Sequence, residues 1–211
     1  MLRFINFKKS FGSFTVLQIE DLHVEPGVYW IKGTNGSGKT TLLKATAGII
    51  DFKGDVVIDG RISIKTAPLA YRRLVNFAEA EPLFPDFISG TEMIQMFSYT
   101  KGGSAEQAEK YIDSMKMSEY IDEPLGKDSS GMLKKLSLVL AFVGHPKLIL
   151  LDEPLITIDA DSLRIVSEWI KTKHLEENVS FFLSSHQPVE MSYGLKLQEL
   201  FVTHHTLQPG C

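Results

Sequence analysis

Apolar and polar positions along this chain fall into three stretches of different period. Near the N-terminus Leu2, Phe4, Ile5 and Phe7 mark a strand, a turn follows over residues 10–13, and 14–19 (FTVLQI) continues the strand pattern. Residues 28–31 (VYWI) are a short unbroken apolar run behind Pro26-Gly27, which predicts a buried strand. A glycine-rich loop comes next, from Gly33 to Gly38. After it TTLLKATAG places Leu42, Leu43 and Ala47 on one helix face that stops at Gly48. Residues 54–60 (GDVVIDG) predict a strand closed by an Asp-Gly turn, with 61–64 as its hairpin partner. Another buried strand is expected over 74–78 (LVNFA).

From about residue 90 to 144 the period changes from two to that of a helix, as in TEMIQMFSY and SAEQAEKYIDSMKM. The second of these opens as a capping box, with Ser104 followed three residues later by Gln107. The β pattern returns at 148–151 (LILL), a helix is expected over 161–174, and further strands over 179–184 and 200–203. Strand and helix in alternation predict an α/β fold with a mainly parallel core sheet. An N-terminal antiparallel part belongs to the same fold. The expected organisation is one domain over 1–211, its core from 1–89 and 145–211 and a helical insertion over 90–144.

Composition narrows the class. Hydrophobic residues are 44% and charged residues 23% of the 211, ordinary values for a globular chain. A net charge of −4 argues against retention on nucleic acid or on an acidic membrane by bulk charge. The single cysteine, Cys211, excludes an intrachain disulfide and a cysteine-based zinc site, and favours the cytoplasm. No stretch reaches the roughly 20 apolar residues that span a bilayer. The opening MLRFINFKKSFG lacks an apolar signal core, so a soluble chain is expected.

The chemistry is concentrated in two motifs. Gly33-Thr34-Asn35-Gly36-Ser37-Gly38-Lys39-Thr40 fits G-x-x-x-x-G-K-[ST]. A loop poor in β-carbons lets consecutive backbone N–H groups turn inward around a phosphate, and the helix that follows adds its positive end. Lys39 is the candidate for the β- and γ-phosphates and Thr40 for Mg²⁺. Asn35, Gly36, Ser37, Gly38 and Thr41 complete the candidate phosphate cradle. The second motif, Leu148-Ile149-Leu150-Leu151-Asp152-Glu153, puts two acids at the exposed tip of a buried strand, the edge where ligands bind in open α/β sheets. Asp152 suits a Mg²⁺ sphere, and Glu153 is placed to orient and deprotonate a water. Asp152 lies 113 positions after Lys39, far beyond the small-GTPase spacing, and a guanine-reading Asn/Thr-Lys-x-Asp is missing.

With these motifs in this order, nearly the whole chain resembles the ATP-binding cassette (ABC) ATPases. Asp128-Ser129-Ser130-Gly131-Met132, with Ser129 placed 23 residues before Asp152, stands where the family has its Leu-Ser-Gly-Gly-Gln signature. Only Ser129 and Gly131 match it. The resemblance implies that these two contact the γ-phosphate held by an opposite subunit. It also implies that Phe11 stacks on adenine, with Phe14 as the alternative. Ile158-Asp159 then corresponds to the loop that crosses the dimer interface. His186, in Ser184-Ser185-His186, corresponds to the switch histidine that senses the γ-phosphate, while the other five histidines have no such context. Glu79 stands where the family has a glutamine near Mg²⁺, and Glu81 is the alternative.

The implied activity is ATP hydrolysis with Mg²⁺, with Glu153, His186 and Lys39 as its catalytic residues. One P-loop and one signature per chain imply a head-to-tail pair, formed with a second copy or a paralogue. The family's commonest use of that cycle implies separate multi-span permease subunits, docked near residues 79–94 and the helical insertion, and a place on the inner face of the cell membrane. Two other uses stay open. One is a soluble ABC ATPase serving a non-membrane assembly such as an iron–sulfur scaffold, and the other is a weakly hydrolysing regulatory subunit.

Overall fold

The computed structural model describes residues 1–185 and 197–210. Two sheets carry the architecture. Strands β1 (Leu2–Phe11), β2 (Phe14–Val24), β4 (Lys53–Ile58) and β5 (Ile62–Ser63) form an antiparallel sheet in the order β2-β1-β4-β5. The second sheet has the order β10-β9-β3-β8-β7-β6. It comprises β3 (Val28–Lys32), β6 (Val75–Ala78), β7 (Leu148–Asp152), β8 (Ser180–Ser184), β9 (Leu197–Thr203) and β10 (Thr206–Pro209). All its pairs are parallel except β9–β10 at one edge, so the expected α/β class with an antiparallel N-terminal part holds.

The central strands β7 and β8 of the second sheet are buried on both faces, which is why they read as apolar runs. Along β7, Leu148 and Leu150 face a core shared with α1 (Lys39–Thr46) and the antiparallel sheet. Ile149 and Leu151 face the other core, built with α5 (Ser130–Phe142) and α6 (Ala160–Glu177). Burying one such leucine contributes about 1.5–3 kcal/mol, so both faces of β7 are expensive to disturb.

Residues 90–142 hold α3 (Gly90–Lys101), α4 (Ala105–Ser114) and α5. The capping box expected at Ser104 is only half present. Ser104 Oγ accepts from the Gln107 N–H at 3.1 Å, but the Gln107 amide turns away to both the C=O and the N–H of Gly144. The complete box is at Ser89, whose hydroxyl accepts from Glu92 N–H while the Glu92 carboxylate accepts from Ser89 N–H. Two short elements were not expected: α2 (Pro68–Leu74), which buries only Tyr71, and the edge strand β10.

Helix α5 is tied to the sheet at both ends. Asn76 on β6, 2% exposed, donates to the carbonyls of Ala141 (2.8 Å) and Val143 (2.9 Å) at its C-terminal end. Lys134 near its N-terminal end is completely buried and donates to three main-chain carbonyls at the ends of β6 and β7. Asp159 caps α6, accepting from Ser162 N–H at 2.8 Å. That hydrogen bond, with Lys135 at 3.0 Å, holds its carboxyl well below the usual range.

Candidate functional site

The site lies along the C-terminal edge of the parallel strands. Strand β3 feeds the Gly33–Gly38 loop, and α1 rises from it at Lys39. Two glycines are required by the backbone. Gly36 has φ +75° and Gly38 φ +108°, and a β-carbon at Gly38 would also meet Val16 Cγ1 at 2.8 Å. Lys39 is 6% exposed and folds back over the loop, its Nζ donating to Gly33 O at 2.8 Å and Thr34 O at 3.1 Å. Burial lowers its pKa, and the nearby charges of Glu153 and Asp152 oppose that shift. Asn35 and Gly36 are exposed on the loop, and Ser37 Oγ is buried with no hydrogen-bond partner among the described residues.

Strand β8 lies between β3 and β7 and joins the two motifs. Thr40 Oγ1 donates to Asp152 Oδ1 at 3.2 Å, and Ser184 Oγ donates to the same oxygen at 2.6 Å. Ser184 also accepts the Glu153 N–H at 3.1 Å. One hydroxyl thus holds the Asp152 carboxylate and the Glu153 backbone together, a role the sequence signalled only as the polar end of an apolar strand. Asp152 Oδ2 is buried and makes no hydrogen bond among the described residues. An orphaned carboxylate oxygen beside a threonine hydroxyl is the hard-oxygen donor set that suits Mg²⁺. Glu153 is 7% exposed and has φ +45°, a left-handed backbone conformation rare for a side-chain-bearing residue and concentrated at functional sites.

The other residues named from the sequence fall in separate places. Glu79, just past β6, pairs its carboxylate with Lys44 of α1, while Glu81 is exposed. Ser129 caps α5, accepting from Met132 N–H, and is exposed. Gly131 lies against Thr157 in the loop after β7, where a β-carbon would meet Thr157 O at 3.2 Å. This signature stretch belongs to the face of the sheet opposite α1. His186 lies outside the described residues.

A cavity of about 370 Å³ opens beside the loop, lined by Gly36, Ser37, Phe14, Phe201, His204 and His205 among others. Phe14, not Phe11, faces it. Phe11 is 55% exposed and stacks under Lys9 Nζ, 4.5 Å from its ring centroid. Phe14 is held edge-on by the His205 ring at 5.6 Å, and the β9–β10 turn is fastened to β2 by Gln18 N–H donating to His205 O at 2.6 Å. Neither histidine stood out in the sequence, because the turn reaches the loop only through sheet order. If a nucleotide base fills this cavity, Phe14→Ala should weaken ATP binding by about 1–3 kcal/mol, the worth of one base stacked on an aromatic ring, and leave pyrophosphate binding unchanged. Phe11→Ala should change neither. Titration of both ligands checks this, and equal losses for ATP and pyrophosphate would count against stacking.

Comparison with known proteins gives the class. The ABC transporter family model matches residues 18–156, so the chain belongs to the ABC transporter family, whose cassettes are ATPases. Relatives include the lantibiotic transport ATP-binding protein SrtF of Streptococcus pyogenes, 26% identical over 188 residues, covering 88% of this chain and 80% of that one. An uncharacterized ABC transporter ATP-binding protein of Bacillus subtilis, YhcH, is 27% identical over 194 residues, covering 90% and 63%. Among solved structures, an ATP-binding subunit of an ABC transporter superposes with TM-score 0.88 at 19% identity, over 100% of this chain and 89% of that one. A dimeric cassette in a post-hydrolysis state, bound to ADP and Pi, gives 0.80 at 19%, over 100% and 98%. At these identities the structural likeness is one of fold.

Proposed function

We propose that this chain binds and hydrolyses ATP as the energising subunit of a transporter, closing head to tail with a second copy or a paralogue and driving separate membrane-spanning subunits. The observation that carries the reading is the join at the sheet edge. The Thr40 hydroxyl rests on the Asp152 carboxylate and Glu153 follows directly, with the glycine loop and Lys39 across β8.

In this reading the loop amides and Lys39 hold the phosphates, and Phe14 packs on the base. Thr40 and Asp152 would hold Mg²⁺, with Glu79 as the further carboxylate; when bound, the ion would neutralise charge on the phosphates. Glu153 orients water and takes its proton, and His186 contacts the γ-phosphate. Ser129 and Gly131 serve the nucleotide of the other subunit. Their place on the face opposite α1 supports that assignment, since a residue that caps a nucleotide in its own subunit would sit on the P-loop side.

Residues 82–88 supply a surface for the membrane partner. Phe84 and Ile88 pack inward, whereas Leu83 is 91% and Phe87 82% exposed. Among the described residues no helix is long and apolar enough to cross a membrane. The direct test is a pull-down of tagged Glu153→Gln from detergent-solubilised membranes of the native host with ATP and Mg²⁺. A stoichiometric multi-span protein is the expected result. Recovery only with soluble partners, or with none, would overturn the transporter assignment in favour of a soluble ABC ATPase.

A further inference from the structure

We infer that Lys134 is a positioning residue of the hydrolysis site, transmitting the position of the signature helix to the backbone that carries Glu79, Asp152 and Glu153. The inference rests on the ATPase reading above and adds to it a physical link between the two nucleotides of a pair.

Lys134 is 0% exposed, and its Nζ donates to Glu79 O at 2.8 Å, Asp152 O at 3.0 Å and Ala80 O at 3.1 Å. These are all the donors an ammonium has. The last β6–β7 pair is Ala78 with Leu151. Beyond it β6 ends while Asp152 still pairs with Ser184 of β8, and Lys134 bonds the backbone of both segments at that point, standing in for the β6–β7 ladder that has stopped. The Asp152 carbonyl it holds belongs to the peptide that enters Glu153, where φ is +45°. Burying a cation to bond neutral carbonyls is costly, and an apolar side chain of the same length would fill the space without that cost. What only the ammonium supplies is a three-way tie between β6, β7 and α5.

The tie sits on a helix with its far end fixed. Asn76 anchors the C-terminal end of α5 to β6, so the helix has little freedom to slide independently. Ser129 lies five residues before Lys134, about 7 Å further along the axis. One rigid element therefore presents Ser129 and Gly131 to the neighbouring subunit's nucleotide, and Lys134 to the strand ends of its own site. Movement of the α5 tip on meeting that nucleotide displaces the Glu79 and Asp152 carbonyls with it. This is a mechanical coupling through a packed helix.

The test compares the full chain with Lys134→Met, which keeps the stem and removes the donors, and Lys134→Gln, which restores two of them. Two measurements are made: hydrogen–deuterium exchange by peptide, and steady-state ATPase kinetics beside nucleotide binding. In Lys134→Met, exchange should rise in peptides covering 79–81 and 152–154 and stay at the parent level over 39–46. ATP affinity should stay within about twofold while kcat falls about a hundredfold, as a small misplacement of reacting groups costs. Lys134→Gln should recover most of both. Unchanged exchange at the two strand ends, or a kcat equal to the parent's, would overturn the assignment. If the parent itself hydrolyses no ATP, the ATPase reading has failed, and the exchange pattern still decides the role of Lys134. Should Lys134→Met not fold, the same exchange comparison on Lys134→Gln decides it, parent-level exchange again overturning the proposal.

Discussion

Lys39→Ala is expected to abolish ATP binding at concentrations that saturate the parent chain. Lys39 is buried at the start of α1, and in the structure its ammonium is spent on the carbonyls of Gly33 and Thr34. It therefore acts in two ways, closing the loop on itself and supplying the one cation that the loop sequence provides. Hydrogen bonds to charged groups contribute about 1.5–3 kcal/mol each, so losing two phosphate contacts weakens binding by at least about 150-fold. Calorimetric titration with ATP measures the loss, and a thermal melt on the same sample separates it from unfolding. Parent-like affinity in a folded Lys39→Ala chain would remove the loop from the nucleotide site.

The second large effect is expected at Glu153. Glu153→Gln keeps the shape of the side chain and retains the hydrogen bond from its main-chain N–H to Ser184, so the variant is expected to fold. A glutamine cannot accept the proton of an attacking water. Turnover should drop by about 10²–10⁴-fold, the usual contribution of a positioned general base, while ATP binding persists. On the proposed cycle, in which hydrolysis releases the closed pair, the variant should then elute from a sizing column as an ATP-dependent dimer. Hydrolysis at the parent rate would take the catalytic role away from Glu153. Arrested hydrolysis with no dimer would leave the base in place and remove the head-to-tail pair.

Much of this was legible from residue order, for reasons the structure makes plain. The LILL run before Asp152 is continuous because β7 has a core on each face, and a glycine loop between a strand and a helix has few other uses. Where the sequence was silent, the signal was short or depended on distant pairing. Helix α2 has seven residues and one buried side chain, too few for a period, and β10 has four residues ending in Pro209. Phe11 and Phe14 are partners across one tight hairpin, and which of them faces the loop is settled by the β9–β10 turn, whose His205 packs on Phe14 from the far end of the chain. Gln107 was expected to cap its own helix but bonds Gly144 instead, a partner on another segment. Lys134 was hidden for a related reason. A lysine in an apolar helix reads as a break in the pattern, and its three carbonyl partners come from strand ends far apart in sequence.

The strand order carries a consequence for how the chain is made. Among the described residues strand β3, which launches the phosphate loop, pairs only with β8 and β9, so Val28 meets Phe181 and Leu197. On a ribosome adding roughly 5–20 residues per second, β3 waits on the order of ten seconds or more for its first neighbour. The antiparallel sheet can close long before that, because β1, β2, β4 and β5 all lie within the first 63 residues. Throughout that interval both long edges of β3 carry unpaired N–H and C=O groups between apolar side chains, open to other chains. The part of the molecule that binds nucleotide is therefore the last to gain its shape, and the most exposed to aggregation while it waits.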